Sequence, residues 1–216
     1  MDRSMKWFYE QRCQAVVKAL EHNRFNAYYA ADKAAAVAQT MELINEGASV
    51  AFGGSMTMLE SGLVNALRKF NCTLYDRNRL GTTAEEIKAM APKFFSVDFF
   101  LASANAVTED GQLLFVDGAN TRIAPVLFGP ANVILVVGAN KIATDAVAAQ
   151  EHMRRIACPV NAKRLNRNTP CTADGLCRDC HSPERICNST LILHKHSSWE
   201  EDHKMHVIMV AESLGF

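Results

Sequence analysis

Four cysteines, Cys171, Cys177, Cys180 and Cys187, fall within seventeen residues, in the segment TPCTADGLCRDCHSPERIC. Their spacing is C-x5-C-x2-C-x6-C. Thiolates are soft ligands, and four of them on one short loop can wrap a single inorganic centre. The loop is too polar to owe its cysteines to core packing. Structural zinc usually takes two separated C-x2-C pairs. Here one pair, Cys177 and Cys180, has single outliers on either side, which is closer to an iron–sulfur loop. Four ligands in one compact segment lean to a four-iron (4Fe-4S) cluster. Structural zinc and free or redox-paired thiols stand as alternatives. His181 could be a ligand but reads as a loop histidine. Arg178, Arg185, Lys163 and Arg164 flank the loop, where they could offset a cluster's negative charge, bind an anion beside it, or be solvated. Cys13, Cys72 and Cys158 lie in apolar patterns and read as small core residues.

A second set of candidates sits where apolar runs give way to polar turns. Gly53-Gly54-Ser55-Met56-Thr57 leaves one such run and enters a helical pattern. Its backbone N–H groups and the hydroxyls of Ser55 and Thr57 could receive a phosphate, a carboxylate or a coenzyme A group. It is neither a P-loop nor G-x-G-x-x-G, so nucleotide binding does not follow. After the next buried run come Asn105, a candidate polar clamp, and Glu109, a candidate general base. Each could equally serve the hairpin turn that follows. Arg122, in DGANTR, could clamp a carboxylate in bidentate fashion. Lys141, in GANK, could stabilise developing negative charge, although a surface lysine is the ordinary expectation. Four polar loops at four strand ends imply one shared mouth.

The elements that would position these residues follow from periodicity. Apolar residues at helical spacing (Cys13, Val16, Val17, Leu20) predict a helix over 4–22. Phe25–Ala30 is β-prone. Asp32 is placed to cap a second helix, which Gly47 ends. Ala48–Phe52 reads as a buried strand, followed by a helix through Leu59, Leu63, Leu67 and Phe70 and by a strand over Thr73–Tyr75. Thr83 opens a helix with Glu85 and Glu86 in its first turn. Asp98–Ala102 and Val133–Val137 are buried strands, and Asp110-Gly111 marks a hairpin. Asp145–Ala157 reads as a helix. The repeated β-α-β order predicts an α/β fold with a mostly parallel sheet covered by helices on both faces. The texture changes at Pro159, so residues 1–158 read as the α/β body. Residues 159–216 read as a Cys-rich metal-binding segment packed on the same domain. Two late strands, Thr190–His194 and His206–Val210, are expected to be antiparallel and to close one edge.

Composition narrows the partners. Lys and Arg number 23, as do Asp and Glu, over 216 residues. This balance, with no basic stripe, gives no nucleic-acid surface. No apolar run is long enough to span a bilayer, and the charged N-terminus is unlike a signal peptide. A cytoplasmic location is the expectation. Seven cysteines in that reducing compartment point to metal or catalysis rather than to disulfides.

The ordered series GGSMT, DFFLASANAVTEDGQLLFVDGANTR, FGPANVILVVGANKI and NAKRLNRNTPCTADGLCRDCHSPERIC resembles the lactate-utilisation (LUD) domain family, from about residue 5 to the final ESLGF. It looks most like the compact single-domain branch with its own C-terminal Cys segment. The resemblance implies a fold similar to glucosamine-6-phosphate isomerase, ribose-5-phosphate isomerase and the coenzyme A transferases. It also implies an anion-binding role for Gly53, Gly54, Ser55 and Thr57. Better-studied members belong to a multi-subunit iron–sulfur complex that oxidises L-lactate to pyruvate; they are longer or lack this Cys arrangement. Three functions follow as expectations. The first is an iron–sulfur protein converting a small carboxylate such as lactate, the cluster acting as electron relay or Lewis acid. The second is a non-redox isomerase or lyase of a phosphorylated or carboxylate substrate, with structural zinc. The third is a non-catalytic subunit that docks other lactate-oxidation subunits. A homodimer is a further possible assembly.

Overall fold

The computed structural model describes residues 1–197 and 204–216. Its strands run in chain order β1 (Asn26–Ala30), β2 (Ser49–Phe52), β3 (Thr73–Tyr75), β4 (Phe99–Ala102), β5 (Ala106–Thr108), β6 (Leu113–Asp117), β7 (Asn132–Gly138), β8 (Ile142–Ala143), β9 (Ser189–Leu193) and β10 (Lys204–Val210). The α-helices are α1 (Arg3–His22), α2 (Lys33–Leu43), α3 (Met56–Glu60), α4 (Leu63–Lys69), α5 (Ala84–Met90), α6 (Ile123–Phe128), α7 (Ala146–His152), α8 (Cys158–Arg164) and α9 (Cys171–Asp174). Six strands form an all-parallel sheet in the order β1-β10-β7-β4-β2-β3. The expected α/β class is therefore borne out. A smaller sheet, β8-β5-β6-β9, stands beside it.

Side chains alternate across the large sheet, which splits its apolar residues between two layers. Val133, Leu135, Val137, Val207 and Met209 pack with Cys13, Val16 and Leu20 of α1. Ile134, Val136, Ile208 and Val210 pack with Ala36 of α2 and with Leu63, Val64 and Leu67 of α4. The helices begin where the sequence signals them. Asp2 accepts from the N–H groups of Ser4 and Met5 at the start of α1. Asp32 caps α2, and Thr83 with Glu86 forms a capping box on α5. The Asp110-Gly111 turn joins β5 to β6 as an antiparallel hairpin.

Three expectations need correction. The run through Leu59 and Phe70 is two helices, α3 and α4, separated at Ser61-Gly62. The helix expected over Asp145–Ala157 gives way at Met153 to a π-helical turn, Met153–Ala157, before α8. The cause is Pro159, at the start of α8: it has no N–H, and its ring would clash with the carbonyl four residues earlier, so the turn before it widens. The last strands also differ. β9 pairs antiparallel with β6 at an edge of the small sheet, but β10 is parallel and lies between β1 and β7. Its sequence explains this. All residues of β10 after Lys204 are buried, and a strand buried on both faces belongs inside a sheet.

Candidate functional site

The loops at the carboxyl ends of β2, β4, β7 and β10 meet over one end of the sheet, the place where open α/β sheets bind ligands. With the loop after β6, α8 and part of the Cys segment they enclose a cavity of about 410 Å3. Among the described residues its wall carries the basic side chains Arg77, Arg122, Lys141, Arg164, Arg167 and Arg185 but only two acidic ones, Asp117 and Glu184.

Lys141 forms part of the cavity wall. The short 3-10 turn after β7 brings it to 3% exposure, so it is not a surface lysine. Its Nζ donates to Thr57 Oγ1 (2.8 Å), Ser103 Oγ (3.0 Å) and the Ala104 carbonyl (3.2 Å). All three acceptors are neutral. Burial, reinforced by the Arg122 charge, pushes its pKa down to about 7, while Glu60 opposes the shift. Thr57 Oγ1 in turn donates to the Leu214 carbonyl. Gly215, at φ +62°, lies against this arrangement; a Cβ there would stand 2.6 Å from Thr57 Oγ1 and 3.4 Å from Lys141 Nζ.

Arg122 is committed to protein acceptors. It donates to the Ser103 carbonyl (3.0 Å), Asn105 Oδ1 (2.7 Å) and the Val116 carbonyl (2.5 Å), with Asp117 3.7 Å away. The expected open fork for a bidentate carboxylate is thus a bracket tying β4 to β6. Asn105 serves the same bracket, also accepting from the Val116 N–H. Gly53 makes room for it, since a Cβ there would meet Arg122 Cγ at 3.0 Å. Gly54 and Ser55 line the cavity, and Ser55 stands at the start of α3 without using its hydroxyl as a cap. Of the residues expected here, Glu109 is elsewhere. The hairpin carries it away from the cavity, and its carboxylate accepts from Arg12 at 2.8 Å.

Behind one wall of the cavity lies a thiol nest. Cys171, Cys177, Cys180 and Cys187 line one small cavity, and Cys158 joins them as a fifth. All are free thiols. Cys158 is buried as the sequence implied, but among thiols rather than in the apolar core. The widened turn before α8 delivers it there. Its hydrogen bond with Cys187, and then burial, hold the Cys158 thiol far above its ordinary range; the same bond, with the Arg185 charge, pulls Cys187 down. Arg185 threads the segment together, donating to the Cys187 carbonyl (3.1 Å), the Cys180 carbonyl (2.6 Å) and Asp179 (2.9 Å). Arg185 and Ile186 line both the thiol nest and the large cavity. Among the described residues no group of three or more His, Cys, Asp or Glu is arranged to hold a metal ion. An all-sulfur donor set is of the type that takes an iron–sulfur cluster or zinc.

A model of the LUD domain matches residues 13–210. The chain belongs to the LUD-domain family. Membership makes it a lactate-utilisation-related protein and bears out the resemblance read from its loops. No curated protein matches the chain. Among solved structures, a DUF162 family protein from Deinococcus radiodurans is similar, with a TM-score of 0.55 at 10% identity, over 94% of this LUD domain chain and 98% of that one. At that identity the likeness shows the fold alone. No helix among the described residues of the LUD-domain protein is long and apolar enough to cross a membrane.

The sequence reading missed Arg77, Ser103, Gly215 and Cys158. Arg77 follows a short strand with no motif around it. Ser103 and Gly215 act through close approach, which spacing does not reveal. Cys158 had a usable signal in the Pro after it and in its nearness to the Cys segment.

Proposed function

We propose that this LUD-domain protein binds a small organic anion such as lactate in the basic cavity and exchanges electrons with it through an iron–sulfur cluster held by Cys171, Cys177, Cys180 and Cys187. The observation that carries this reading is the shared wall: Arg185 and Ile186 face the anion cavity and the thiol nest alike. A bound cluster supplies one-electron transfer. Lys141, Ser55 and the arginines of the cavity wall hold the anion, and the Lys141 charge stabilises the negative charge that develops on the substrate hydroxyl oxygen as its proton passes to solvent. Oxidising a 2-hydroxy acid to a 2-oxo acid releases two electrons and two protons. A further electron acceptor, such as another subunit of a lactate-oxidation complex, must therefore take part. Free thiols in such a nest fit a reducing compartment.

The test is protein purified without oxygen. It should be brown, contain iron and acid-labile sulfide, and give a paramagnetic signal on one-electron reduction. The Cys180→Ser variant should lose colour and metal while its circular dichroism stays that of the parent. Cys158→Ser should keep its iron, because Cys158 lies outside the four proposed ligands. Colourless protein holding zinc without sulfide would sink the redox reading and leave the zinc-bearing isomerase or lyase.

A further inference from the structure

The cavity is larger and more positive than a monocarboxylate requires. Its volume, about 410 Å3, lies in the range of sites for much bigger ligands, so an acid as small as lactate would fill only part of it. The charges fall into two groups. Lys141, buried, forms the inner one and has no ion pair among the described residues. Arg77 and Arg164 form the other. Arg77 lies over the glycine turn, its Cζ 3.8 Å from where a Cβ on Gly54 would sit. Arg164 Nε and Nη2 are held by the neutral Asn161 Oδ1 at 3.0 and 2.7 Å. Both guanidinium groups line the one cavity, and burial, then the Arg77 charge, disfavours the charged form of Arg164. The carboxylate of Asp117 offsets Arg77 in part but stands beside Arg122. Two like charges lining one cavity, only one of them partly offset by a carboxylate, are stabilised by a multiply charged anion.

Resting on the anion-site reading above, we infer that the cavity takes a ligand with two anionic groups, a phosphorylated carboxylate. Its carboxylate end lies toward Lys141 and Ser55, and its phosphate lies between Arg77 and Arg164. Two guanidinium forks can share the three free oxygens of a phosphate, which leaves the two oxygens of the carboxylate for the single Lys141 ammonium.

Titration calorimetry on the full chain separates one anionic group from two. The probes are L-lactate, glycerol 3-phosphate and 3-phosphoglycerate at one ionic strength. The last should bind at least about tenfold more tightly than either of the others, the worth of one added charge-assisted contact. Arg77→Gln and Arg164→Gln should each reduce that advantage to about twofold. Both residues line the cavity, and circular dichroism checks that the variants fold. Glycerol 3-phosphate binding as tightly as 3-phosphoglycerate, or an advantage that survives both substitutions, would overturn the two-anion inference and leave a simple anion site. Failure of all three probes to bind would overturn the anion site itself.

Discussion

Lys141 is almost wholly buried, and neutral oxygens alone accept its hydrogen bonds. The unfolded chain keeps this lysine protonated up to about pH 10.4, but the folded one releases the proton near pH 7. Between those values the unfolded state binds more protons, so the Lys141 contribution to stability rises with pH. In Lys141→Met this contribution is gone. Denaturant unfolding of both proteins from pH 6 to 10 should show the wild type gaining on the variant by about 1.4 kcal/mol per pH unit above pH 7. A constant difference would mean that Lys141 titrates normally. At this scale the sequence was uneven. The four clustered cysteines and the Gly53–Thr57 turn were legible because their spacing is local. Glu109 was misplaced because a turn acid and a cavity acid look alike until the hairpin's direction is known. Arg122 was located but its use was not, because its acceptors lie on strands far from it in sequence.

Among elements, the turn after β10 supports the lysine from below. Gly215 sits at positive φ with Thr57 directly above it, so Gly215→Ala meets both strained backbone and a filled space. It should cost about 1–3 kcal/mol in unfolding free energy and weaken anion binding by displacing Thr57. A variant of parental stability would show that the turn can relax. Element types were mostly legible, since caps at Asp32 and Thr83 and the period of α1 are strong local signals. Two features were not. The π-turn at Met153–Ala157 arises from a clash between Pro159 and a carbonyl one turn back, which periodicity does not register. The place of β10 depends on which strands flank it; its unbroken apolar run was the available sign, and its terminal position in the order of strands masked it.

Over the whole molecule, acidic and basic side chains balance at 23 each, yet the cavity wall is strongly basic. Anion capture is therefore a matter of local field rather than net charge. A bound anion favours protonated Lys141, so binding above pH 7 should take up as much as one proton, and affinity should fall by up to about tenfold per pH unit. Calorimetry of lactate binding at pH 8 in buffers of different ionisation enthalpy measures that proton; a buffer-independent heat would refute the linkage. The fold as a whole was legible as α/β because β-α-β alternation constrains it so tightly; the interleaving of early and late strands was not, because pairing partners are set by tertiary contacts. That interleaving has a kinetic side. Asn26 pairs with His206, and the same strand pairs with β7, so the middle of the sheet closes only when the most distant segments meet, a slow kind of event. The thiols at Cys171–Cys187 leave the ribosome before that strand does. An inorganic guest taken up at that moment would settle into a half-built protein with a vacant slot between β1 and β7, and maturation would then compete with completion of the sheet.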